Sequence, residues 1–597
     1  MRLSRRITLL LPQAMHRGSA LWERLVVRLN GLELDENTIL LAFAVAIGVF
    51  GALGVVVFYR LIDLAYFALI ESPGRYLPRT GMLVYRPVFT GAGIALAWWI
   101  SERVSRGGEA PSVPSVQLSV ARQNGDVPTA RGVGITAASA VTIGSGGSAG
   151  GEGPVAVLGA TVGSFLGRVF RFDPSRVKIL VAAGAAAGIS AAFNAPLAGA
   201  FFALEEILGS LAVGAFPPVV VSSVVAAMVS RSVFGDHPAF PIPMEYGYTL
   251  GREVMLLYPL LGVLGGLVAV LYIRTYFGVP VLAARLRIPR AAQPWIGGAL
   301  VGVLVWLSGG VLVGYGHLSL QPQLFGRLAW TTLALLALGK ILATAVTLGM
   351  GGSGGVFTPS LYIGAVMGGA FGVLVAQILP GWGIHPEAYA VVGMGVVVAV
   401  ATAAPITGIL IVFEMTNDYA IMLPLMMATV IGTIVGRKLE PDDLYSGWLR
   451  RRGEHLSHGA DQDILGRLTV DAILDPDPQV VGEAATVNQL LDRLGAGGQS
   501  EFPVVDADLV LTGVVTLADL GRIAKDSREL APLLLAMDLA IPSETVHLGD
   551  NLRVALQRMG IRGSSSLPVV DKESGRLVGV VTRAGILAAY ERMVASG

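Results

Sequence analysis

The residues most suited to chemistry in this 597-residue chain lie in a glycine-rich nonapeptide that occurs twice. Residues 146–154 read GGSAGGEGP, and residues 351–359, 205 positions later, read GGSGGVFTP. The proline of each copy suits the first turn of a helix, because the N–H that it lacks would be unpaired there. Two helix N-termini inside apolar sequence predict an anion-binding site, since their free N–H groups and the helix dipole favour negative charge.

The two copies differ where Glu152 stands opposite Phe357. A carboxylate in apolar sequence is costly unless it is paired, solvated or functional. Beside a helix N-terminus, a charged Glu152 would occupy the place of an anion, whereas a protonated one would be free to leave. We therefore predict that Glu152 gates an anion site and that the N–H groups of Val356 and Phe357 face the anion. A helix-capping acid near the membrane surface is the structural alternative.

The composition indicates a polytopic helical membrane protein. Hydrophobic residues make up 53% of the chain and charged residues 14%, against roughly 25% charged residues in soluble proteins. Residues 39–59 are uncharged and long enough to cross a hydrocarbon core of about 30 Å. Further apolar runs follow as far as residue 436. Arginines before residue 30 and basic residues at 437–452 predict that both ends are cytoplasmic, and thus an even number of crossings.

A second internal match extends the repeat. Gly184, Ala195, Pro196, Gly199 and Glu205 recur 209 positions later as Gly393, Ala404, Pro405, Gly408 and Glu414. Residues 38–240 and 250–440 are therefore predicted to be homologous halves, and an inverted relation is expected for a transporter with broken helices. Glu205 and Glu414 are predicted to pair helices structurally, while no role is assigned to Lys340, another charge in apolar sequence.

The end of the chain has a different character. From residue 466 to 597, short β-branched runs alternate with charged helical segments, as in a soluble α/β domain. This region also repeats, because residues 502–506 (FPVVD) match residues 567–571 (LPVVD), and residues 511–516 match residues 577–582. Residues 1–37 are predicted to be a cytoplasmic segment, 38–448 the membrane domain, and 449–465 a linker.

Four motifs in order resemble the CLC chloride channel and transporter family. They are residues 150–154 (GGEGP), residues 355–359 (GVFTP), residues 194–199 (NAPLAG) followed by Glu205-Glu206, and residues 444–446 (LYS). The resemblance implies that Glu152 is the external gating glutamate and that Glu206 is the internal proton-transfer glutamate of the exchangers. It further implies that Tyr445 offers its hydroxyl to a central anion, beside the backbone donors of Val356 and Phe357, and that the protein is a homodimer.

One anion loop departs from the pattern of that family. By alignment to Glu152, the loop is residues 110–114 (APSVP), so that Pro111 stands where a serine hydroxyl usually binds the anion. Proline offers neither a hydroxyl nor an N–H, and proline at this position is familiar in nitrate-preferring plant members. A shift of register would bring Ser112 to the anion instead. Gly151 replaces the usual basic residue before the gate, and Ser115 replaces an acid after the loop.

The repeats at 502–516 and 567–582 resemble tandem CBS domains, modules that often bind adenine nucleotides. Thr516 and Asp519 would contact such a nucleotide, but Gly585 replaces the aspartate in the second copy, so at most one conventional site is expected. A purely structural dimerisation unit remains the alternative. No cofactor is required by the predicted function.

The combined prediction is a non-enzymatic secondary transporter of the inner cell membrane that exchanges a monovalent anion, chloride or nitrate, for protons. A passive voltage- or pH-gated chloride channel of the same fold is the alternative. Two other CBS-containing classes fit poorly, since no H-E-x-x-H motif supports a zinc protease and no clustered carboxylates support a magnesium pathway. The net charge of +1 gives no indication of nucleic-acid binding. The chain has no cysteine, which excludes disulfides and thiolate metal sites.

Overall fold

A computed structural model describes residues 36–72, 82–105, 112–210, 213–235, 255–314, 328–454, 464–487, 489–490, 501–516, 520, 533–562 and 564–596. The chain divides into two compact units, Met1–Leu456 and Ser457–Gly597.

The first unit is helical. Its first half contains α1 (Glu36–Tyr66), α2 (Met82–Ser105), α3 (Val113–Arg122), α4 (Thr129–Gly144), α5 (Glu152–Val169), α6 (Pro174–Phe193), α7 (Pro196–Phe202) and α8 (Phe216–Phe234). A π-helical turn, Phe67–Glu71, extends α1, and a second one, Ala203–Ile207, extends α7.

The second half of this unit contains α9 (Leu257–Arg285), α10 (Gln293–Leu307), α11 (Trp330–Gly349), α12 (Phe357–Ile378), α13 (Pro386–Thr402), α14 (Pro405–Thr416) and α15 (Met422–Leu439), followed by the short α16 (Ser446–Arg450). Within the described ranges, seven helices are long and apolar enough to cross a membrane. Shorter apolar helices, among them α13 and α14, accompany them. The predicted polytopic helical fold is confirmed.

Glycines allow the same close helix packing in both halves. A Cβ on Gly159 of α5 would lie 1.9 Å from the carbonyl oxygen of Gly184 on α6. In the second half, a Cβ on Gly364 of α12 would lie 2.2 Å from the carbonyl oxygen of Gly393 on α13. Such contacts are possible only without a side chain, and small residues at helix interfaces are typical of membrane proteins. The helices that carry the two nonapeptide copies are therefore supported in equivalent ways.

Two carboxylates link the halves reciprocally, as predicted for Glu205 and Glu414. Glu205 accepts hydrogen bonds from the N–H groups of Ile406 (3.2 Å) and Thr407 (2.8 Å) at the start of α14. Glu414, on α14, accepts them from Leu197 (2.9 Å) and Ala198 (2.7 Å) at the start of α7. Each acid thus satisfies free N–H groups at the N-terminus of the other half's helix, where negative charge is favoured. Their predicted structural role is confirmed.

The second unit contains two similar β-hairpins. Strands β2 (Glu501–Val505) and β3 (Leu511–Thr516) pair antiparallel, and β1 (Val481–Gly482) joins β2 in parallel. Strands β4 (Ser566–Val570) and β5 (Leu577–Thr582) repeat the hairpin, with a register shift at the corresponding place in β4. Short helices complete the unit: α17 (Ile464–Arg467), α18 (Ala536–Leu539), α19 (Leu552–Arg562) and α20 (Arg583–Ser596). The predicted internal repeat of this domain is confirmed.

The two hairpins also exchange neighbouring segments. Asp475, before β1, forms a bridge with Val580 of β5, whereas Ile541, before β4, forms one with Val514 of β3. This exchange relates the copies by an approximate two-fold axis. In the turn of the second hairpin, hydrogen bonds from Ser574 hold the pKa of the Asp571 carboxyl below its usual value.

Candidate anion and proton site

The two nonapeptide copies meet through their glycines. Gly150 and Gly355, equivalent positions of the repeat, pair as an antiparallel bridge, with N–H to carbonyl distances of 2.8 and 2.7 Å. An antiparallel pair of equivalent residues places a local two-fold axis between them. The chain therefore runs in opposite directions in the two copies where they meet, which agrees with the inverted relation expected from the sequence.

Hydroxyl groups fasten each copy to the other half. The N–H of Ser148 donates to Thr347 Oγ1 of α11 (3.0 Å), and the N–H of Ser353 donates to Thr142 Oγ1 of α4 (3.1 Å). The hydroxyls of the two serines make equivalent contacts, Ser148 with Thr344 (2.9 Å) and Ser353 with Ser139 (2.8 Å). All six residues are buried. Buried polar groups with every bond made are rigid, so the glycine loops are held in one conformation.

Glu152 reaches across this axis to the start of α12. Its Oε1 accepts the N–H of Phe357 at 2.5 Å, and its Oε2 accepts the hydroxyl of Thr358 at 2.6 Å. The side chain of Glu152 is only 1% exposed. A carboxylate at a helix N-terminus occupies the place that a free anion would take. We call the space around these two donors the gate position.

Glycine is required on both sides of the gate position. A Cβ on Gly150 would lie 2.0 Å from Oε2 of Glu152, and a Cβ on Gly355 would lie 2.2 Å from Oε1. Either side chain would fill the space that the carboxylate occupies. The repeated glycines of the nonapeptide therefore create room for a negatively charged group, in addition to allowing the two loops to approach.

Phe357 cannot titrate. Its ring instead packs against neighbouring aromatic rings and holds the start of α12 in place. The ring is 1% exposed, and its centroid lies 6.0 Å from that of Phe193 and 6.3 Å from that of Phe202. Aromatic pairs at such distances stabilise a fixed arrangement. The N–H of Phe357 is thus presented by a closely packed residue, whereas Glu152 at the equivalent position carries a titratable carboxyl group.

A cavity of about 100 Å³ adjoins the start of α12 and brings together three predicted anion ligands. Ser112, Val356 and Tyr445 line it. This volume exceeds the roughly 10–15 Å³ that a single water molecule requires, so a small anion fits. We call it the central cavity. Its other lining residues are Pro114, Tyr276, Leu348, Gly352, Gly354, Leu444 and Trp448.

The hydroxyl of Tyr445 is free to bind a ligand. The side chain is 3% exposed, and its oxygen has no hydrogen-bond partner in the part of the chain that the structure describes. A buried hydroxyl without a partner is costly. Its position on the central cavity fits a donor that awaits an anion.

The anion loop of the first half is described only in part. Pro111 lies outside the described residues. Ser112 lies on the central cavity, and its hydroxyl is close to the backbone of Gly153, where an added Cβ would be 2.5 Å from Ser112 Oγ. Ser112 therefore lies beside the cavity, as expected if the loop register is shifted so that Ser112 binds the anion. The role of Pro111 stays a prediction.

Glu206 is adjacent to Glu205 in the sequence, but its side chain has different neighbours. It is 5% exposed, and Gln117 of α3 donates to its carbonyl oxygen at 2.8 Å and to its Oε2 at 3.2 Å. Gln117 follows Pro114, a residue of the central cavity, by three positions on α3. Residues three apart share a helix face, so Gln117 lies between Glu206 and the cavity along that face.

Lys340, to which the sequence assigned no role, has a structural one. Its ammonium group is fully buried and donates to the carbonyl oxygens of Leu312 (3.2 Å) and Gly314 (2.7 Å). It also lies 5.1 Å from the centre of the Tyr362 ring. A cation beside carbonyl oxygens and an aromatic face is favourable, so Lys340 of α11 holds the segment after α10 and also contacts α12 through the Tyr362 ring.

The two residues predicted to contact a nucleotide are incompletely described. Thr516 ends β3, where it pairs with Glu501 of β2. Asp519 lies outside the described residues. Among those residues, no group of His, Asp and Glu side chains is arranged to bind a metal ion.

Two residues of the site were not singled out from the sequence, Thr358 and Gln117. Thr358 lies inside the nonapeptide, directly after Phe357 and opposite Gly153 of the first copy, so a comparison of hydroxyl groups between the copies would have found it. No comparable signal exists for Gln117, because its contact with Glu206 joins residues 89 positions apart.

This chain is similar to known families, relatives and solved structures. The family model described as voltage gated chloride channel matches residues 93–437, and the CBS domain model matches residues 470–525 and 537–592. A ClcB-like chloride channel protein of Ralstonia nicotianae is 34% identical over 431 residues, which are 69% of this chain and 97% of the relative.

An H(+)/Cl(-) exchange transporter, ClcA, of Vibrio parahaemolyticus is 34% identical over 315 residues, which are 52% of this chain and 67% of the relative. The crystal structure of a slow cyanobacterial Cl-/H+ antiporter is similar with a TM-score of 0.61 and 25% identity, and the match covers 70% of this chain and 99% of that one.

Proposed function

Because the chain belongs to the CLC family of voltage-gated chloride channels and transporters, we propose that it is a secondary active transporter that exchanges a monovalent anion for protons. The observation that carries the proposal is Glu152, a titratable side chain bound to the donors of an anion site. The names of the Vibrio relative and the cyanobacterial neighbour favour exchange over passive flow.

The gate position explains how one side chain couples two ions. While Glu152 is charged, its carboxylate takes the Phe357 and Thr358 donors and excludes an anion. Protonation removes the charge that the helix N-terminus attracts, so the side chain leaves and an anion replaces it. The return of Glu152 requires release of the proton. Each anion that passes is thereby linked to protonation of Glu152.

We assign to Glu206 the supply of protons from the internal side of the membrane. Its carboxyl group is buried beside Gln117, one helical turn from the central cavity. A buried ionisable group inside a membrane protein is a candidate for a proton relay. Anions thus enter through the central cavity, with Ser112, Val356 and Tyr445 as ligands, while protons reach Glu152 by way of Glu206.

A passive anion channel is the alternative, favoured by the name of the Ralstonia relative. Reconstitution into liposomes separates the two. The liposomes start with equal pH on both sides of the membrane. An imposed chloride or nitrate gradient is then expected to drive protons across it, and a pH-sensitive dye records this proton movement. Anion flux without any proton movement in the wild-type protein would reject the exchanger.

The chain spans the membrane several times, and we place it in the inner cell membrane as a homodimer with both termini cytoplasmic. The basic residues at 437–452 support this orientation. No nucleic acid is expected as a partner; membrane lipid surrounds the apolar helices.

Replacement of Pro111 by serine is expected to raise the ratio of chloride to nitrate flux, because serine restores a hydroxyl donor to the anion loop. Flux of each anion is measured in liposomes under equal gradients. Ser112→Ala is the companion variant. If Pro111→Ser leaves the ratio unchanged and Ser112→Ala alters it, the anion ligand is Ser112 and the alignment of Pro111 is wrong.

The CBS pair is proposed to bind an adenine nucleotide at Thr516 and Asp519. The duplicated hairpins with their exchanged segments support a paired CBS module. ATP is expected to stabilise the detergent-solubilised full-length protein against heat, and Asp519→Ala to remove that stabilisation. An unchanged melting temperature at saturating ATP, with direct binding also undetected, would leave the CBS pair as a structural unit.

A further inference from the structure

A second cavity lies at the end of α9, and its lining residues differ from those of the central cavity. Its volume is about 320 Å³, within the range of roughly 300–1,000 Å³ that is usual for small-molecule sites. One wall is the face of α9 from Ile273 to Arg285. The other wall consists of Glu440 and Asp442, which follow α15, and Arg451, which follows α16. We call this space the α9 cavity.

Gly278 keeps the α9 cavity open. A Cβ on Gly278 would have no described atom of a packing neighbour within 4 Å. The glycines that join helices elsewhere are different, since a Cβ on Gly159 or Gly364 would collide with the backbone of the next helix. Glycine in a helix interior is unfavourable relative to alanine, and no close helix contact explains this one. The missing side chain leaves space in the wall of the cavity.

The two acids that line the α9 cavity are already paired. Glu440 accepts a hydrogen bond from Nε of Arg274 at 2.9 Å. Asp442 forms an ion pair of 2.7 Å with Arg450. These pairs neutralise the negative charge that would otherwise repel an anion, so the remaining charge of the cavity is positive.

That positive charge belongs to Arg285 and Arg451. Neither has an acidic partner in the part of the chain that the structure describes. The guanidinium of Arg451 lies over the ring of Phe277, 3.6 Å from its centre, and such stacking holds the group in place. A guanidinium presents several N–H donors in a planar fork, a geometry that suits phosphate. The α9 cavity therefore offers two positive groups to a phosphate.

The rest of α9 indicates that this phosphate belongs to a lipid. The helix is long and apolar enough to cross a membrane, and its leucines next to the cavity are exposed. Residues three or four positions apart lie on one helix face. One such face combines exposed leucines with the wall of the cavity, in the order Leu267, Leu271, Arg274, Gly278 and Leu282. Acyl chains can lie along the leucines while a headgroup enters the cavity.

We propose that the α9 cavity binds the headgroup of an anionic phospholipid, with Arg285 and Arg451 on its phosphate and the acyl chains along Leu267 and Leu271. Basic pockets between membrane helices on the cytoplasmic side bind such headgroups. The cavity includes residues of the basic segment 437–452, which we place on that side. The proposal concerns neither the transported anion nor its coupling to protons, so it holds for an exchanger and for a channel.

The test measures which lipids the full-length protein retains in detergent. The protein is mixed with equal amounts of phosphatidylglycerol and phosphatidylcholine, and bound lipid is counted by mass spectrometry of the intact protein. The wild-type protein is expected to retain phosphatidylglycerol in preference. Arg285→Gln is expected to lower this retention about tenfold, as for the loss of one hydrogen-bonded charge, and the combination with Arg451→Gln to lower it further.

Gly278→Leu tests the cavity itself without a change of charge. Leucine is a better helix former than glycine, and its Cβ meets no described neighbour, so the fold should be preserved, which a melting curve checks. The larger side chain fills the space beside the arginines. Retention of phosphatidylglycerol is therefore expected to fall at least about tenfold, as it does when a phosphate contact is lost.

Arg290→Gln is the matched control, because Arg290 is an exposed arginine between α9 and α10 that does not line the cavity. It should retain phosphatidylglycerol as the wild-type protein does. An equal fall with Arg290→Gln and Arg285→Gln indicates general attraction to basic residues and overturns the proposal. So does retention that neither Arg285→Gln nor Gly278→Leu changes. Inorganic phosphate is added alone as a further arm, and if it raises the melting temperature as much as phosphatidylglycerol does, the occupant is free phosphate and the lipid proposal is wrong.

Discussion

Replacement of Glu152 by glutamine is expected to abolish anion-driven proton movement and to leave a passive anion flux. Glutamine has nearly the same shape but cannot carry a proton or a negative charge. It therefore no longer competes as an anion for the Phe357 and Thr358 donors. The expected loss of proton flux is at least about a hundredfold, the lower range for removal of an essential proton carrier. The remaining anion flux should no longer vary with pH through this group.

The measurement records chloride or nitrate efflux and external pH in the same liposomes. Glu387→Gln is a matched control, since Glu387 is another buried carboxylate in the first turn of a helix, α13, and is 9% exposed. Coupling should survive that change. Proton movement retained by Glu152→Gln would contradict the assignment of the gate, and an equal loss in both variants would indicate a general electrostatic effect.

The sequence was sufficient to predict that both nonapeptides precede helix N-termini at an anion site, because each copy carries glycines before a helix-starting proline. It did not predict how they are held together. The bonds of Ser148 with Thr344 and Thr347 join residues almost 200 positions apart. Small hydroxyl residues are common in membrane helices for many reasons. Only the folded backbone shows which of them pair across the two halves.

The sequence predicts that Glu205 and Glu206 have different roles, but it does not predict which residues each of them contacts. Adjacent acids on a helix point in directions about 100° apart, which favours separate roles. The structure adds that both lie in the π-helical turn Ala203–Ile207 after α7. Such turns occur often at functional sites. Here the turn directs Glu205 to α14 of the other half and leaves Glu206 in the protein interior beside Gln117.

That separation makes Glu206→Gln the second decisive variant. It is expected to slow proton movement about a hundredfold while anion flux falls little, because Glu206 bonds to Gln117 rather than to the donors at the start of α12. Glutamine can still accept the hydrogen bond that Gln117 donates to Oε2, so the fold should be preserved. Proton and anion fluxes are recorded together in liposomes, and their ratio is the quantity that should change.

The neighbouring acid provides the control for this variant. Glu205→Gln removes a charge one residue away, from a carboxylate that caps α14 through Ile406 and Thr407. It is expected to lower thermal stability by about 1 kcal/mol, the usual cost of a weakened helix cap, and to keep the ratio of protons to anions. If Glu206→Gln keeps that ratio too, protons reach Glu152 by another path. If only Glu206→Gln lowers the ratio of protons to anions, the adjacent acids have separate roles: Glu205 stabilises the helices and Glu206 carries protons.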